Sequence, residues 1–320
     1  MTERVPIILD VDTGTDDALA LAYAIASPGL DLVAVTTVAG NVNVEQATAN
    51  TLAVLDWLGA DTIPVHRGAS RPLVLPHRDA TEFHGDDGLG GAHLPASTRP
   101  LGADRGPAAI VRLANQRPGE LILVAVGPLT NLAIALNVEP RLPELLRAVV
   151  LMGGAYTVPG NTLPDGSFAE SDAARAVAEF NIFADPDAAA QVFAAPFARL
   201  TAVGLDVSHQ VALTTDDWEA VKSRPDLQPA AALFREIGRH AFSTLGITQF
   251  ALHDPLAVAV AADPDLVGGE GATVTVDVSG AERGRTRMVG SGQVRVATAV
   301  DGARALADFR RIMGVPLSEA

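Results

Sequence analysis

The chain of 320 residues contains no cysteine. This absence excludes a disulfide scaffold, a cysteine-ligated zinc site and a thiol nucleophile. Aromatic residues make up only 4% of the chain, so few side chains can stack against a planar ligand. Basic residues are also scarce, since 23 Lys and Arg face 38 Asp and Glu for a net charge of -15. A surface that binds nucleic acid by neutralising phosphates is therefore not expected.

Long apolar runs are missing as well. No stretch approaches the ~18 apolar residues that span a bilayer, and the N-terminal residues do not resemble a signal peptide. We therefore expect a cytoplasmic protein that has no membrane contact. Hydrophobic residues nevertheless make up 48% of the chain. A chain of this length can bury a large core with that composition.

Short β-branched apolar runs alternate with longer Ala- and Leu-rich runs of helical period. This alternation predicts an α/β fold with an open, mostly parallel, doubly wound sheet and helices on both faces. Two late runs at 273–278 and 293–299 predict a small antiparallel extension, and no linker divides residues 1–320, so we predict one domain. The predicted strands lie near 6–10, 32–38, 63–66, 121–126, 148–152 and 199–204. The predicted helices lie near 16–27, 44–58, 107–115, 129–136, 186–194, 216–222, 229–244, 255–261 and 301–313.

Two long segments interrupt this pattern, at 67–105 and 154–178. Both are rich in Gly, Pro and Asp, and long loops without secondary structure in a compact protein are usually functional. We expect them to cover a ligand site at the edge of the sheet.

Four carboxylates follow the first predicted strand, at Asp10, Asp12, Asp16 and Asp17. Residues 5–66 contain eight acids and no Lys or Arg, so a metal ion is the natural counter-charge. Ca²⁺ and Mg²⁺ are the ions that prefer oxygen ligands. The simpler interpretation of Asp16 and Asp17 is that they stabilise a helix N-terminus, but it leaves the other two carboxylates unexplained.

A second polar motif, His253-Asp254-Pro255, combines a histidine and a carboxylate. Asp followed by Pro is an ordinary start of a helix. Beside an acidic cluster, however, the two side chains also offer a metal ligand and a proton donor. Further polar residues end predicted strands, where each is compatible with an ordinary turn; they are Asn41, Thr130, Asn131 and Asn181.

Taken together, these motifs resemble the calcium-dependent nucleoside hydrolases of the inosine–uridine-preferring type. The segment DVDTGTDDA at 10–18 is similar to the family's DxDxGxDDA signature, and TTVAGN at 36–41 is similar to a second family motif. The resemblance spans nearly the whole chain in the right order. It continues through GPLTN at 127–131, VVLMGGAY at 149–156, AEFNI at 178–182, GLDVSHQ at 204–210 and HDP at 253–255.

The resemblance implies a role for individual residues. Ca²⁺ is held by the side chains of Asp12, Asp17 and Asp254 and by the backbone carbonyl of Val126, and Asp10 lies behind these ligands. Asp16 matches the general base and His253 the acid that protonates the leaving group. His84 matches a histidine on a flexible loop near the base. The residues that match the ribose site are Asn41, Met152, Asn161, Glu179 and Asn181.

The implied reaction is hydrolysis of the N-ribosidic bond of uridine, cytidine or inosine by a calcium-bound water, with inversion at the anomeric carbon. This chemistry fits the residue types, because the sugar develops positive charge and the departing base negative charge. The resemblance also implies a small-molecule nucleoside substrate and a homodimer or homotetramer. Two alternatives are a relative that binds nucleoside and Ca²⁺ without turnover and a haloacid-dehalogenase-like phosphatase that uses Mg²⁺.

The chain departs from the family between Asn161 and Glu179, where residues 162–178 form a longer connection than usual. Asn161 is the ribose residue that lies directly before this departure. The insertion belongs either to a lid, to an oligomer contact or to a neutral surface loop. Trp57 and Trp218 are expected to pack in the protein rather than to stack on a base. His240 is as compatible with the surface as with the base pocket. No role is assigned to His66, His77, His93 and His209.

Overall fold

The computed structural model describes residues 4–163, 165–167 and 176–316. Within these residues nine strands form one sheet in the order β10-β9-β11-β6-β5-β4-β1-β2-β3. Strands from β3 to β11 in this order run parallel, and β9 and β10 add an antiparallel edge. The strands are β1 (Val5–Val11), β2 (Leu30–Thr37), β3 (Val65–Arg67), β4 (Ile122–Ala125), β5 (Ala148–Met152), β6 (Leu200–Val203), β9 (Val267–Val276), β10 (Thr286–Ser291) and β11 (Val294–Val300).

Two further strands, β7 (Ala212–Thr214) and β8 (Gln249–Ala251), form a separate antiparallel pair. A π-helical turn, Arg239–Thr244, continues α11, and a short 3₁₀ turn, Pro264–Leu266, precedes β9. The helices are α1 (Thr15–Ala26), α2 (Val44–Trp57), α3 (Thr81–His84), α4 (Gly106–Gln116), α5 (Thr130–Val138), α6 (Leu142–Leu145), α7 (Phe180–Ala184), α8 (Pro186–Ala194), α9 (Leu205–Ser208), α10 (Thr215–Lys222), α11 (Pro229–Gly238), α12 (His253–Ala262) and α13 (Gly302–Met313).

Helices cover both faces of the sheet because the central strands are apolar on both sides. On β1, Ile7 and Leu9 pack in one hydrophobic cluster with α1, α12 and α13, whereas Ile8 packs in a second cluster with α4, α5 and α8. This alternation follows the two-residue period of a strand. The predicted doubly wound α/β fold with a small antiparallel extension is confirmed.

The antiparallel part differs from the sequence prediction in its details. Three strands, β9, β10 and β11, stand where two were predicted, and the pair β7–β8 was not predicted. Strand β10 lacks an apolar alternation, and its Met288 and Val289 are exposed. Its strand conformation comes from pairing with β9, which residue patterns within β10 do not show.

The fold brings the carboxyl ends of β1, β2 and β4 together at one edge of the sheet. Asp10 on β1 pairs in register with Thr36 on β2 and with Ala125 on β4. The chain order reverses at this point, since β4 lies on one side of β1 and β2 on the other. Such a switch point opens a crevice for a ligand in open α/β sheets.

The two ends of the insertion at 162–178 are paired with each other. An isolated antiparallel bridge joins Thr162 to Ala178, and the backbone N–H of Asn161 donates a hydrogen bond of 3.0 Å to the carbonyl of Ala178. The insertion is thus closed at its base, and Asn161 and Glu179 remain neighbours. Residues 164 and 168–175 of the insertion lie outside the described residues.

Candidate active site

The turn after β1 is built around the carboxylate of Asp17. Oδ1 of Asp17 accepts a hydrogen bond of 3.0 Å from the backbone N–H of Asp12, and Oδ2 accepts one of 2.8 Å from the backbone N–H of Gly14. Asp17 therefore does cap the start of α1, as the simpler interpretation holds. The carboxylate also faces other acids, so capping accounts for only part of its environment.

Three carboxylates converge beside this turn. One oxygen each from Asp16, Asp17 and Asp254 lies within 4.8 Å of the others. Asp16 and Asp17 start α1, and Asp254 starts α12, which packs against α1. Asp12 approaches the same group from the turn directly after β1, where its Oδ2 accepts a hydrogen bond of 2.6 Å from the backbone N–H of Asn41.

The converging carboxylates need a cation to balance their charge. Burial and the charges of neighbouring aspartates raise the pKa of Asp12, Asp16 and Asp254, and burial raises the pKa of Asp17. Oδ1 of Asp12 and Oδ1 of Asp16 are buried without a hydrogen-bond partner among the described residues. An all-oxygen donor set with unsatisfied buried oxygens fits a metal ion.

Glycines make room for this group. A Cβ on Gly40 would lie 2.0 Å from Oδ2 of Asp12, and one on Gly127 would lie 2.8 Å from Oδ1 of the same residue. Neither glycine has a positive φ, so the close approach to the carboxylate explains them.

Asp10, near the end of β1, is fully buried. Its Oδ1 accepts hydrogen bonds from Thr36 Oγ1 and, at 2.7 Å, from Asn131 Nδ2. Burial raises the pKa of Asp10 to about 7, although these hydrogen bonds oppose the shift. The Asn131 side chain thus binds Asp10 and not a ligand. Thr130 Oγ1 likewise donates a hydrogen bond to the carboxylate of Asp185.

A cavity of about 580 Å³ opens above the carboxylates. This volume is in the range of small-molecule sites. None of its lining residues is Lys or Arg, so the ionisable side chains that line it are carboxylates and histidines. Asp12 and Asp17 are fully buried and do not line it. The predicted site residues that do line it are Asp16, Asn41, His84, Val126, Met152, Asn161, Glu179, Asn181, His253 and Asp254.

The polar side of the cavity is organised by Glu179 and Asn181. The carboxylate of Glu179 accepts hydrogen bonds from the backbone N–H of Gly154, at 3.0 Å, and of Asn181, at 2.8 Å. Nδ2 of Asn181 donates to the carbonyl of Val126 at 2.8 Å and to that of Met152 at 3.2 Å. These bonds tie β4, β5 and α7 together at the cavity wall.

Two histidines lie near the carboxylates. The backbone N–H and the Oγ1 of Thr15 lie 3.1 and 2.9 Å from Nδ1 of His84. Ser208 Oγ lies 2.8 Å from Nδ1 of His253. Burial, together with neighbouring histidines, lowers the pKa of each ring to about 3. Both rings are therefore neutral at pH 7 in this environment.

Six residues that line the cavity were not predicted as site residues from the sequence. His209, which had no role, contacts the ring of His253 edge-on with centroids 5.4 Å apart. The sequence feature that could have identified His209 is its place in the GLDVSHQ motif at 204–210. Leu245 and Ile247 follow the π-helical turn, and no sequence motif marks them. The six are Glu82, Phe83, Phe180, His209, Leu245 and Ile247.

The remaining histidines and the tryptophans lie outside the cavity lining. His240 lies within 3.2 Å of the carbonyl of Phe83, beside the loop that carries His84. Trp218 is 4% exposed and stacks on Phe242, and Trp57 bonds to the carbonyl of Pro229. The prediction that both tryptophans pack in the protein is confirmed.

Solved structures of nucleoside hydrolases share this fold. A plant nucleoside hydrolase, PpNRh1, has the same shape, with a TM-score of 0.87 at 32% identity over 98% of this chain and 100% of that one. A purine-preferring ribonucleoside hydrolase from Gardnerella vaginalis gives a TM-score of 0.84 at 34% identity, covering 97% and 98% of the two chains.

Sequence comparison gives the same class. Residues 7–307 match the sequence model of the family described as inosine-uridine preferring nucleoside hydrolase. The non-specific ribonucleoside hydrolase RihC of Escherichia coli is 39% identical over 289 residues, which cover 89% of this chain and 88% of that protein. The inosine-uridine preferring nucleoside hydrolase of Leishmania major is 36% identical over 279 residues, covering 86% and 84% of the two chains.

The chain belongs to the inosine-uridine preferring nucleoside hydrolase family. It is an enzyme that hydrolyses ribonucleosides. Membership excludes the phosphatase alternative considered from the sequence. In the described part of the chain, no helix has the length and apolar character needed to cross a bilayer.

Proposed function

We propose that the protein cleaves the N-ribosidic bond of uridine, cytidine or inosine to free base and ribose, with one Ca²⁺ bound at the carboxylate group. The observation that carries this proposal is the convergence of Asp16, Asp17 and Asp254 within 4.8 Å at a cavity of nucleoside size. The ion would be held by the side chains of Asp12, Asp17 and Asp254 and by the carbonyl of Val126.

The number of oxygen atoms favours Ca²⁺ over Mg²⁺. Three carboxylates, one carbonyl, two ribose hydroxyls and a water offer about seven oxygens, which suits Ca²⁺ but exceeds the octahedral set of Mg²⁺. The carbonyl of Val126 can serve although it accepts a hydrogen bond from Asn181, because a carbonyl oxygen has two lone pairs. When bound, the ion would orient the ribose diol and a water molecule and lower the pKa of that water.

Asp16 accepts the proton of the attacking water in this proposal. Its Oδ1 is buried without a hydrogen-bond partner among the described residues, so that oxygen is available for a proton. Burial and the negative charge of Asp17 raise the pKa of Asp16 in the metal-free protein, and a bound Ca²⁺ would oppose this shift and favour the ionised carboxylate that a general base needs. Attack from the carboxylate side of the ribose, opposite the base, gives inversion at the anomeric carbon.

His253 protonates the departing base. Its surroundings lower the pKa of the ring to about 3, so Nε2 takes up a solvent proton only as negative charge develops on the base, and the ring then passes that proton to the base. Cleavage of the N-ribosidic bond produces such a charge on the base. His84 lies on the other side of the carboxylates, with Nδ1 at 4.0 Å from Oδ1 of Asp16, and is proposed to contact the base.

The ribose is proposed to lie against Asn41, Met152, Asn161, Glu179 and Asn181, all of which line the cavity. Hydrogen bonds to the backbone fix Glu179 and Asn181 before substrate arrives. A preformed site orients the sugar without a further entropy cost.

Four expectations from the sequence stay predictions. They are the assembly as homodimer or homotetramer, the cytoplasmic location, the single domain over 1–320 and the lid role of 67–105 and 154–178.

A panel of nucleosides tests the proposal through reducing-sugar release, measured with Ca²⁺ and with a chelator. We expect release from uridine, cytidine or inosine that stops on chelation and returns when Ca²⁺, but not Mg²⁺, is restored. Full activity in excess chelator would overturn the calcium site. Activity restored equally by Mg²⁺ would overturn the choice of Ca²⁺.

A further inference from the structure

We propose that Ser208 is a positioning residue for the leaving-group step, acting through His253. Its hydroxyl holds Nδ1 of the imidazole, so that Nε2 is the ring nitrogen that exchanges a proton with the departing base. This inference rests on the proposed function, because it presupposes that His253 is the acid.

The contact is buried and specific. Ser208 is 0% exposed, and its Oγ lies 2.8 Å from Nδ1 of His253. Among the described residues this is the only hydrogen bond of the Ser208 side chain. A buried hydroxyl with a single partner is committed to that partner, since losing it would leave a polar group unsatisfied.

The backbone that carries Ser208 is itself fixed. Ser208 is the last residue of α9, and its N–H donates to the carbonyl of Gly204 at 3.1 Å. The carboxylate of Asp206 in the same turn accepts hydrogen bonds of 2.9 and 2.7 Å from the backbone N–H groups of Tyr156 and Thr157. α9 is thereby tied to the segment after β5, so Ser208 cannot shift independently of the cavity wall.

The residue after Ser208 constrains the same ring from another side. His209 contacts His253 edge-on at 5.4 Å between centroids and also lines the cavity. The imidazole of His253 is thus held at one nitrogen by Ser208 and against the ring of His209. Two consecutive residues, the last of α9 and the one that follows it, contact this ring.

A hydroxyl suits this position chemically. It accepts a hydrogen bond from Nδ1–H both before and after Nε2 releases its proton, so the contact persists through the transfer. An alanine at this position would leave Nδ1–H buried without a partner. The ring would then turn or change tautomer, and proton delivery through Nε2 would be lost.

The test compares Ser208→Ala, Ser208→Cys, Ser208→Thr and His253→Ala on uridine and on p-nitrophenyl riboside, whose leaving group needs no protonation. We expect Ser208→Ala to lower kcat on uridine about 10- to 100-fold, part of the ~10²–10⁴-fold that a general acid contributes. KM on uridine and kcat on the nitrophenyl riboside should change less than about 3-fold. Ser208→Thr keeps the hydroxyl and should restore kcat, and Ser208→Cys, a weaker partner of similar volume, should fall in between.

Several outcomes would overturn the inference. They are equal losses on both substrates, an unchanged kcat on uridine, and a Ser208→Thr variant no better than Ser208→Ala. If Ser208→Ala does not fold, the order of the Thr and Cys variants decides. A His253→Ala variant that loses equally on both substrates would instead refute the acid role of His253, and a wild-type enzyme inactive on nucleosides would refute the proposed function.

Discussion

A Cβ atom on Gly14 would lie 2.7 Å from Nδ1 of His84. The same atom would lie 2.7 Å from Nδ2 of Asn41. The backbone of Gly14 has a negative φ of -88°, which any residue can adopt. The glycine of the DxDxGxDDA motif is therefore required by the side chains that pack beside it and not by the turn itself.

Gly14→Ala should displace His84 or Asn41 and lower kcat/KM on uridine by at least about 100-fold, since a small misplacement of site residues can cost that much. The control is Gly29→Ala, because a Cβ there meets nothing closer than Ser27 Oγ at 3.9 Å. Steady-state kinetics on both variants provides the check. A Gly14→Ala enzyme as active as Gly29→Ala would contradict the packing explanation.

Asp16→Asn should abolish turnover while Ca²⁺ affinity stays within about 3-fold of wild type. The amide has the same shape but cannot accept the proton of the attacking water. Calcium titration calorimetry and uridine hydrolysis measure the two properties, and exposed Asp31→Asn serves as the control. Because the geometry places Asp16 within 4.8 Å of Asp17 and Asp254, a large loss of Ca²⁺ affinity would reassign Asp16 as a ligand.

Calcium should stabilise the protein more strongly as pH rises from about 5 to about 8. Burial raises the pKa of the ligands above the value in the unfolded chain. Without the ion, ionising them as pH rises therefore costs stability, and Ca²⁺ offsets that cost because it binds the ionised carboxylates. At 100 times its Kd the ion adds about 2.7 kcal/mol to the free energy of unfolding.

Urea unfolding at both pH values, with Ca²⁺ or with chelator, measures this difference. In Asp254→Asn the calcium-dependent part should shrink, because one ligand is neutral. A stabilisation by Ca²⁺ that is the same at both pH values would show that the bound ion does not depend on these carboxylates.

Arg310→Ala should lower the free energy of unfolding by about 2–3 kcal/mol at pH 7. Nε of Arg310 lies 2.7 Å from Oδ1 of Asp217, whose side chain is 3% exposed, and a second bond of 2.8 Å joins its guanidinium to Oδ2. This pair links α13 to α10, and its removal leaves a buried charge. Arg311→Ala, which removes an exposed pair with Asp308 on the same helix, should cost less than about 1 kcal/mol.

The difference between Arg310→Ala and wild type should depend on pH. Burial alone would raise the pKa of Asp217, but hydrogen bonds from Arg310 and Thr214 outweigh it and lower the pKa. The stability that ionised Asp217 contributes is therefore complete above its unfolded-state pKa of about 3.9 and is lost as pH falls through its folded-state pKa. Denaturant unfolding of the two proteins at pH 7 and near pH 3 tests this, and a constant difference would refute it.

The sequence predicted most of the parallel sheet because its strands are continuous apolar runs. β1 and β2 are recognisable in this way, and most of their residues are buried. The short strand β8 and the edge strand β10 were missed, since their conformation comes from pairing with β7 and β9. The helix predicted over 229–244 ends as a π-helical turn after Gly238, a local change that residue propensities do not encode.

The candidate site likewise has residues that the sequence predicted and residues that it did not. Asp12, Asp16 and Asp17 were predicted as site residues because they lie close together in the sequence, where like charges without a nearby Lys or Arg are easily recognised. His209 was missed because its contact with His253 joins residues 44 positions apart through the packing of α9 and α12. The bond between Ser208 and His253 has the same origin.

The most direct test of the account is a crystal structure of the protein grown with Ca²⁺, with the ion located by its anomalous signal. We expect one ion in contact with the carboxylates of Asp12, Asp17 and Asp254 and with the carbonyl of Val126, at the oxygen distances of about 2.3–2.6 Å typical of Ca²⁺. A structure in which these carboxylates bind no ion at saturating Ca²⁺, or in which the ion lies outside the cavity, would contradict it.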